Sequence, residues 1–319
     1  MNKVFSLIAL ACSLALAPAL ATAQYPVKPV RLIIPFAVGG PTDTVARTVG
    51  QALSKSLGQP VIVESKPGAD GAIAAQTVAS APADGYTLLF AVSSMTAIPL
   101  LTKPAPFDLV ADFTPVSLVG RFAFCMYLHP GVPATSVAEF VTYAKANPGK
   151  LNYATSNLGE HLAATQFMKA TGIDMVRVPY KGAAQAMPDL IAGRVQVNFG
   201  PLSGGLPYVI DGRLRALAIL LPQRISIAPN IPTMAEAGVQ GVSVLSWQAI
   251  FAPAKTPKEI VDRLSREVNA VLQEIEVRVQ LDRQALYTEG STPQALAATL
   301  QEDTRAWSQF IRENGLVPE

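Results

Sequence analysis

Short apolar runs alternate with longer amphipathic stretches along most of this chain. Residues 30–38 and 61–64 read as strands on either side of residues 42–57, where Val45, Val49, Ala52 and Leu53 recur at helical spacing. Residues 73–79 read as a helix and 86–92 as a strand. The alternation then starts again, with helices at 137–146, 161–170 and 184–191 between strands at 151–155, 175–178 and 195–199. Asn147-Pro148-Gly149 and Gly193 end two of these helices. Further on, Ile260, Val261, Leu264, Val268, Val271, Leu272 and Ile275 follow a helical period. Thr292-Pro293 caps and opens a last helix carrying Leu296, Leu300, Trp307 and Ile311. These stripes read as packing faces. Near-continuous apolar strands between helices predict α/β layers around mostly parallel sheets.

A chain of 319 residues has room for two such domains. Two apolar stretches, 114–118 with 122–128 and later 214–220, lie where the chain would cross to a second domain and return. The expected division is 24–121 plus 221–319 for the first domain and 122–220 for the second. No internal repeat or low-complexity linker suggests a serial arrangement instead.

The first residues form a separate unit. Lys3 is the only charge before residue 28, an apolar run covers 4–16, and Ala21-Thr22-Ala23 precedes Gln24. A basic start, a short apolar stretch and an A-x-A site predict a cleavable secretory signal, with cleavage after Ala23 and a periplasmic product. The competing reading, an uncleaved anchor or core helix, is weakened by Pro18 and the small residues around it. Cys12 follows Ala9-Leu10-Ala11, a poor lipidation context. The remaining chain keeps one cysteine, Cys125, inside the apolar run 122–128, which suits a small buried hydrophobe. The formal charge is +2, or +1 without Lys3, and no Lys/Arg cluster occurs. Nucleic acid and anionic membrane surfaces are therefore poor partners, and a soluble monomer is expected.

Ligands of open α/β sheets bind beyond the carboxyl ends of the strands. Here those ends carry Gly39-Gly40-Pro41-Thr42, Ser93-Ser94, Thr155-Ser156-Asn157, Pro179-Tyr180-Lys181-Gly182 and Gly200-Pro201-Leu202. Small residues, hydroxyls and helix N-termini at five strand ends can hold an anion with backbone N–H groups alone. A phosphate-type loop G-x-x-x-x-G-K-[ST] and a dinucleotide G-x-G-x-x-G are both missing, which favours a carboxylate. Taken singly, Gly39 and Gly40 fit a tight turn equally well, and Asp43 in a first helical turn fits simple dipole stabilisation. Support for catalysis is thin. His129 sits in a Pro-Gly turn, and His161 lacks partners at metal-ligand spacing. In Gly200-Pro201-Leu202-Ser203-Gly204 the serine comes one residue late for a nucleophile elbow. A Ser–His hydrolase built on His161 stays as a remote alternative. No metal, cofactor or catalytic residue is expected.

These loops carry a family resemblance. The stretch Arg31-Leu32-Ile33-Ile34-Pro35-Phe36 with Gly39-Gly40 and Thr42-Asp43, the run Pro67-Gly68-Ala69, and Asp84-Gly85-Tyr86-Thr87-Leu88-Leu89 are similar to the Bug (TctC-like) family. So are Ala144-Lys145-Ala146-Asn147-Pro148-Gly149-Lys150-Leu151, Val178-Pro179-Tyr180-Lys181-Gly182, Leu214-Arg215-Ala216-Leu217-Ala218 and Trp247. That family comprises periplasmic receptors of tripartite tricarboxylate transporters. The resemblance implies a type II periplasmic-binding-protein fold, two α/β domains with a ligand cleft between them, closing on a small organic acid. It also implies transporter subunits as partners; a sensor protein in the membrane is the alternative. Carried over, Phe36, Gly39, Gly40, Thr42 and Asp43 would line one wall with Ser93 and Ser94. Thr155, Ser156, Pro179, Tyr180, Gly182 and Asn198 would line the other, with backbone N–H groups replacing a basic clamp. Two departures stand at the implied pocket. The loop Thr155-Ser156-Asn157-Leu158-Gly159-Glu160 is shorter than the family's and brings Glu160 beside His161, and Asn198 stands where the family often has an aspartate.

Overall fold

The structure, a computed structural model, describes residues 25–225, 227–242 and 244–313. The expected signal over 1–23, its cleavage after Ala23, and Cys12 lie outside the described residues. Among the described residues, no helix is long and apolar enough to cross a membrane.

Strand β1 (Val30–Ile34) stops earlier than its apolar run, because Pro35 has no N–H to give the ladder. Helix α1 (Pro41–Leu57) starts on that turn with proline at its first position and ends at Gly58, whose φ of 69° is left-handed. Then come β2 (Val61–Ser65), α2 (Ala72–Ala79), β3 (Thr87–Val92), a 3₁₀ turn over Ser93–Thr96 and the short α3 (Ile98–Leu101). The 16-residue β4 (Phe113–Leu128) leads to α4 (Val137–Ala146), β5 (Asn152–Thr155), α5 (Leu158–Thr171), β6 (Val176–Pro179) and α6 (Ala183–Ile191). After these follow β7 (Val197–Pro201), α7 (Leu202–Ile210), β8 (Arg215–Ile219) and β9 (Leu245–Pro253). The chain ends in α8 (Lys258–Val271), α9 (Ile275–Asp282), β10 (Leu286–Thr288) and α10 (Pro293–Glu313).

The strands order as β2-β1-β3-β9-β4-β7-β5-β6, with β8 and β10 also paired to β4. β1 runs parallel to β2 and β3, and β5 runs parallel to β6 and β7. All the pairings of β4, and that of β3 with β9, are antiparallel. The sheets are thus mixed rather than mostly parallel, because the long strand β4 and the returning β9 are inserted between the βαβ units.

β4 divides the molecule into two lobes. Phe122 pairs with Ser246 and Leu286, and Ala123 with Leu245; from Phe124 onward the partners are Pro201 in β7 and, from Cys125, Ile219 in β8. Each lobe's sheet is packed on both faces. In the first lobe, Ile33, Leu89 and Trp247 belong to one buried cluster and Leu32, Phe90 and Ile250 to the other. In the second, Met126, Tyr153 and Phe199 lie on one face and Cys125, Tyr127 and Leu190 on the opposite one. Residues between β8 and β9 join these second-lobe clusters: Ala228 and Ile231 in one, Met234, Val239, Val242 and Val244 in the other.

Candidate functional site

The β1–α1 turn, the loop 67–71 and the Ser93–Thr96 turn of the first lobe face the loops after β5, β6 and β7 of the second. The lobes touch here. An ideal Cβ on Gly182 would lie 3.2 Å from the Ala37 nitrogen, and one on Gly204 would lie 3.5 Å from Pro41 Cγ. Leu158 and Leu162 of α5 pack into the first-lobe cluster that holds Met95 and Trp247. The touching lobes leave between them a cavity of about 250 Å³ that stays partly open to solvent.

Pro35, Phe36 and Gly68–Gly71 line the cavity from the first lobe; Thr155, Ser156, Arg177, Pro179, Tyr180 and Lys181 line it from the second. Of the residues expected from sequence, Phe36, Thr155, Ser156, Pro179 and Tyr180 meet there. The others do not line it. Thr42 accepts a hydrogen bond from Gln248 (3.3 Å), and the Ser93 and Ser246 hydroxyls pair at 2.8 Å. Ser94 is buried, its Cβ 3.5 Å from where a Gly159 Cβ would stand. Gly39 takes a φ of 88°, and its N–H donates to the Asp43 carboxylate, which also pairs with Arg47 at 2.9 Å. Asp43 therefore locks its own turn. Gly40 and Gly182 occupy the N-cap positions of α1 and α6.

Helices α1, α6 and α7 all begin without a side-chain cap. Their first turns converge: Cβ positions on Gly40, Gly182 and Gly204 approach Ala184, Ala37 and Pro41. Unsatisfied N–H groups and three positive dipole ends thus meet where the lobes close, a setting that favours an anion. α5 differs, because Asn157 accepts from the Glu160 N–H at 3.0 Å and caps it. The spacing Asn157-x-x-Glu160 is a capping signature in the sequence, and reading it would have started the helix at Leu158 instead of His161.

Glu160 is 1% exposed and lies behind the cavity wall. Its carboxylate accepts from the Ser156 N–H (2.6 Å), the Ser156 hydroxyl (2.7 Å), Asn157 Nδ2 (3.3 Å) and Asn198 Nδ2 (3.3 Å). Burial pushes its pKa up to about 7; the Ser156 and Asn198 donors pull it down, and the charge of Asp70 adds to the rise. The two departures noted in the sequence are therefore one feature. Asn198 donates to the carboxylate that Glu160 brings in, where an aspartate at 198 would oppose it. Asn198 also donates to Ala154 O at 3.1 Å, so its side chain serves the wall from behind.

A site without basic groups was expected, and the structure corrects this. Arg177 stands on the edge strand β6, donates from Nε to Thr155 Oγ1 at 3.0 Å, and lines the cavity with Lys181. Opposite it, Ala69 (φ 46°) and Asp70 (φ 52°) adopt left-handed backbone between Gly68 (φ 131°) and Gly71 (φ 108°). An L-residue held there costs roughly 1–2 kcal/mol, and such strain concentrates at ligand-facing loops. Neighbouring His161 is pushed down to about 4 by burial and then by Arg177, and its Nδ1 pairs with the Tyr153 hydroxyl at 3.0 Å. A larger crevice of about 890 Å³ opens elsewhere, at the lobe crossing between Phe122, Leu221–Ile225 with Ile227, and Asp282 with Ala285–Tyr287.

Comparison with known proteins agrees with this geometry. BugT of Bordetella pertussis is 35% identical over 295 residues, 91% of this chain and 90% of BugT. The structure of R. palustris Rpa4515 with adipate matches with a TM-score of 0.89 at 34% identity, over 92% of this chain and 100% of that one. MatC from Rhodopseudomonas palustris with bound malate matches with a TM-score of 0.86 at 31% identity, over 90% and 100% of the two chains. Residues 45–316 match the pattern of the tripartite tricarboxylate transporter family receptor, TctC, and the chain belongs to that family.

Proposed function

We propose that this chain is a periplasmic receptor that closes on a small carboxylate-bearing solute and delivers it to a membrane transporter of the tripartite type. The observation that carries the proposal is the meeting of three uncapped helix N-termini from both lobes at the interlobe contact, with a cavity between the same lobes that Arg177 lines. Adipate and malate in the two solved relatives support the ligand class. Export by residues 1–23 belongs to the same proposal. So does a two-domain division, supported by the change of β4 partners between Ala123 and Phe124. We place the return crossing after Val244 rather than Leu220, because Met234, Val239, Val242 and Val244 pack in the second lobe.

Protein purified without refolding is expected to release an organic acid on denaturation, detectable by mass spectrometry. Adding that acid at about 100 times Kd should raise stability by roughly 2.7 kcal/mol, while its amide and ester do nothing. Equal stabilisation by the neutral analogues would refute the carboxylate assignment.

A further inference from the structure

The cavity holds charged groups that a plain acid leaves unmatched. Asp70 lines it from the first lobe and, among the described residues, makes no hydrogen bond or ion pair. Its carboxylate is largely withdrawn from solvent, and its nearest charges are Arg177 across the cavity and Glu160 behind the wall. No ion pair joins Asp70 to Arg177, so both keep an ionic face free while Arg177 Nε alone is held, by Thr155. The loop that presents Asp70 is firmly placed. The Gly71 N–H donates to Gly68 O at 3.0 Å, and a Cβ on Gly71 would lie 3.0 Å from Pro35 Cβ.

Asp70 thus faces this small cavity without a partner and Glu160 backs it, while two exposed cations, Arg177 and Lys181, line it from the second lobe. A dicarboxylate would engage the two cations and leave Asp70 without a donor. A solute with one cationic nitrogen beside its carboxylate would bring no net charge and would supply the donor that Asp70 lacks.

Resting on the receptor reading above, we infer that Asp70 selects solutes of the amino-acid type, taking their ammonium group while Arg177 and the helix N-termini take the carboxylate. Asp70 is then a specificity-determining residue contributed by the first lobe, and contact with it requires the lobes to close.

Matched triads of probes test this: propionate, lactate and alanine; succinate, malate and aspartate; 3-phenylpropionate, phenyllactate and phenylalanine. Thermal shift over the triads and the remaining common amino acids, followed by calorimetry, should find at least one amino acid bound tenfold or more tighter than its unsubstituted acid. The hydroxy acid should fall between them. Asp70→Asn, which tolerates the left-handed backbone, should shrink that gap to about threefold or less, weakening the amino acid and, with the negative charge gone, strengthening the unsubstituted acid. Asp70→Gly, free of backbone strain, gives the same answer if the asparagine variant folds poorly. Unsubstituted or hydroxy acids binding as tightly as amino acids would overturn the inference and leave the receptor reading intact. So would an undiminished gap in both variants. Failure of every carboxylate to bind would overturn both.

Discussion

Gly182 offers the sharpest test of closure. From sequence alone, alanine at this position should do less harm than aspartate if the backbone angles allow it. The structure adds a cost for bulk. With φ 170° and ψ 157° the backbone is extended, so alanine fits it without strain. Space is the obstacle, because its Cβ would lie 3.2 Å from the Ala37 nitrogen and 3.3 Å from the Ala37 Cβ. Ordinary carbon contacts begin near 3.5 Å, so the loops must separate by a few tenths of an ångström. Ala37 belongs to the opposite lobe, and the strain therefore falls on closure rather than on either lobe's fold. Overpacking of this kind costs about 1–3 kcal/mol, roughly five- to hundredfold in affinity. Gly182→Asp adds charge to bulk. Two like charges near 4 Å cost about 4 kcal/mol at an effective dielectric of 20, close to three decades in Kd. Calorimetry with the solute recovered from purified protein measures the loss, and circular dichroism verifies folding. Alanine binding within twofold of wild type, with aspartate within tenfold, would show that these loops do not close on the ligand.

Two further outcomes are expected. Glu160 has a folded pKa near 7, above the ordinary carboxylate value, so the folded state holds its proton more tightly and stability falls as pH rises from about 4.5 through 7. His161, depressed to about 4, runs the other way between 4 and 6.5, so the wild-type curve alone mixes both. Subtracting Glu160→Gln denaturation midpoints from wild-type midpoints isolates a trend on the order of 3 kcal/mol across the range; a flat difference from pH 5 to 8 would be the wrong result. In α7, a Cβ on Gly205 would overlap the buried Tyr127 ring, whereas one on Gly204 makes ordinary contact with Pro41. Gly205→Ala should lose about 1–3 kcal/mol or more in urea denaturation and Gly204→Ala much less; equal costs would contradict the packing described for Tyr127.

Much of the architecture was legible because βα units announce themselves through apolar runs and turn residues. Gly39-Gly40-Pro41 marked the first turn correctly, and Cys125 is buried as its surroundings implied. Residues whose role depends on remote neighbours were not legible. Residues 175–178 read as a strand, and that pattern gives Arg177 no role; β6 is an edge strand, and its arginine borders the cavity. Asp70-Gly71 is a turn signal, but a turn dipeptide does not reveal that the Asp70 carboxylate lines a cavity with Arg177 of the other lobe. The link between Glu160 and Asn198 spans 38 positions and exists only once β5 and β7 lie side by side.

The shared strand β4 also sets an order of assembly. The second lobe draws its strands from one unbroken stretch of chain, β4 to β8, with residues up to Val244 completing its core, and can form once Val244 is made. The first lobe cannot. Its sheet lacks a centre until β9 arrives, since Val92 pairs with Gln248 and Leu118 with Ala249. Such distant pairings form slowly, and until then β3 and the first half of β4 present open edges that invite misassociation. A chain cut before Leu245 would keep those edges permanently. Because the cavity needs walls from both lobes, it is the last part of the molecule to come into being, and the ability to bind solute reports that the whole chain has folded.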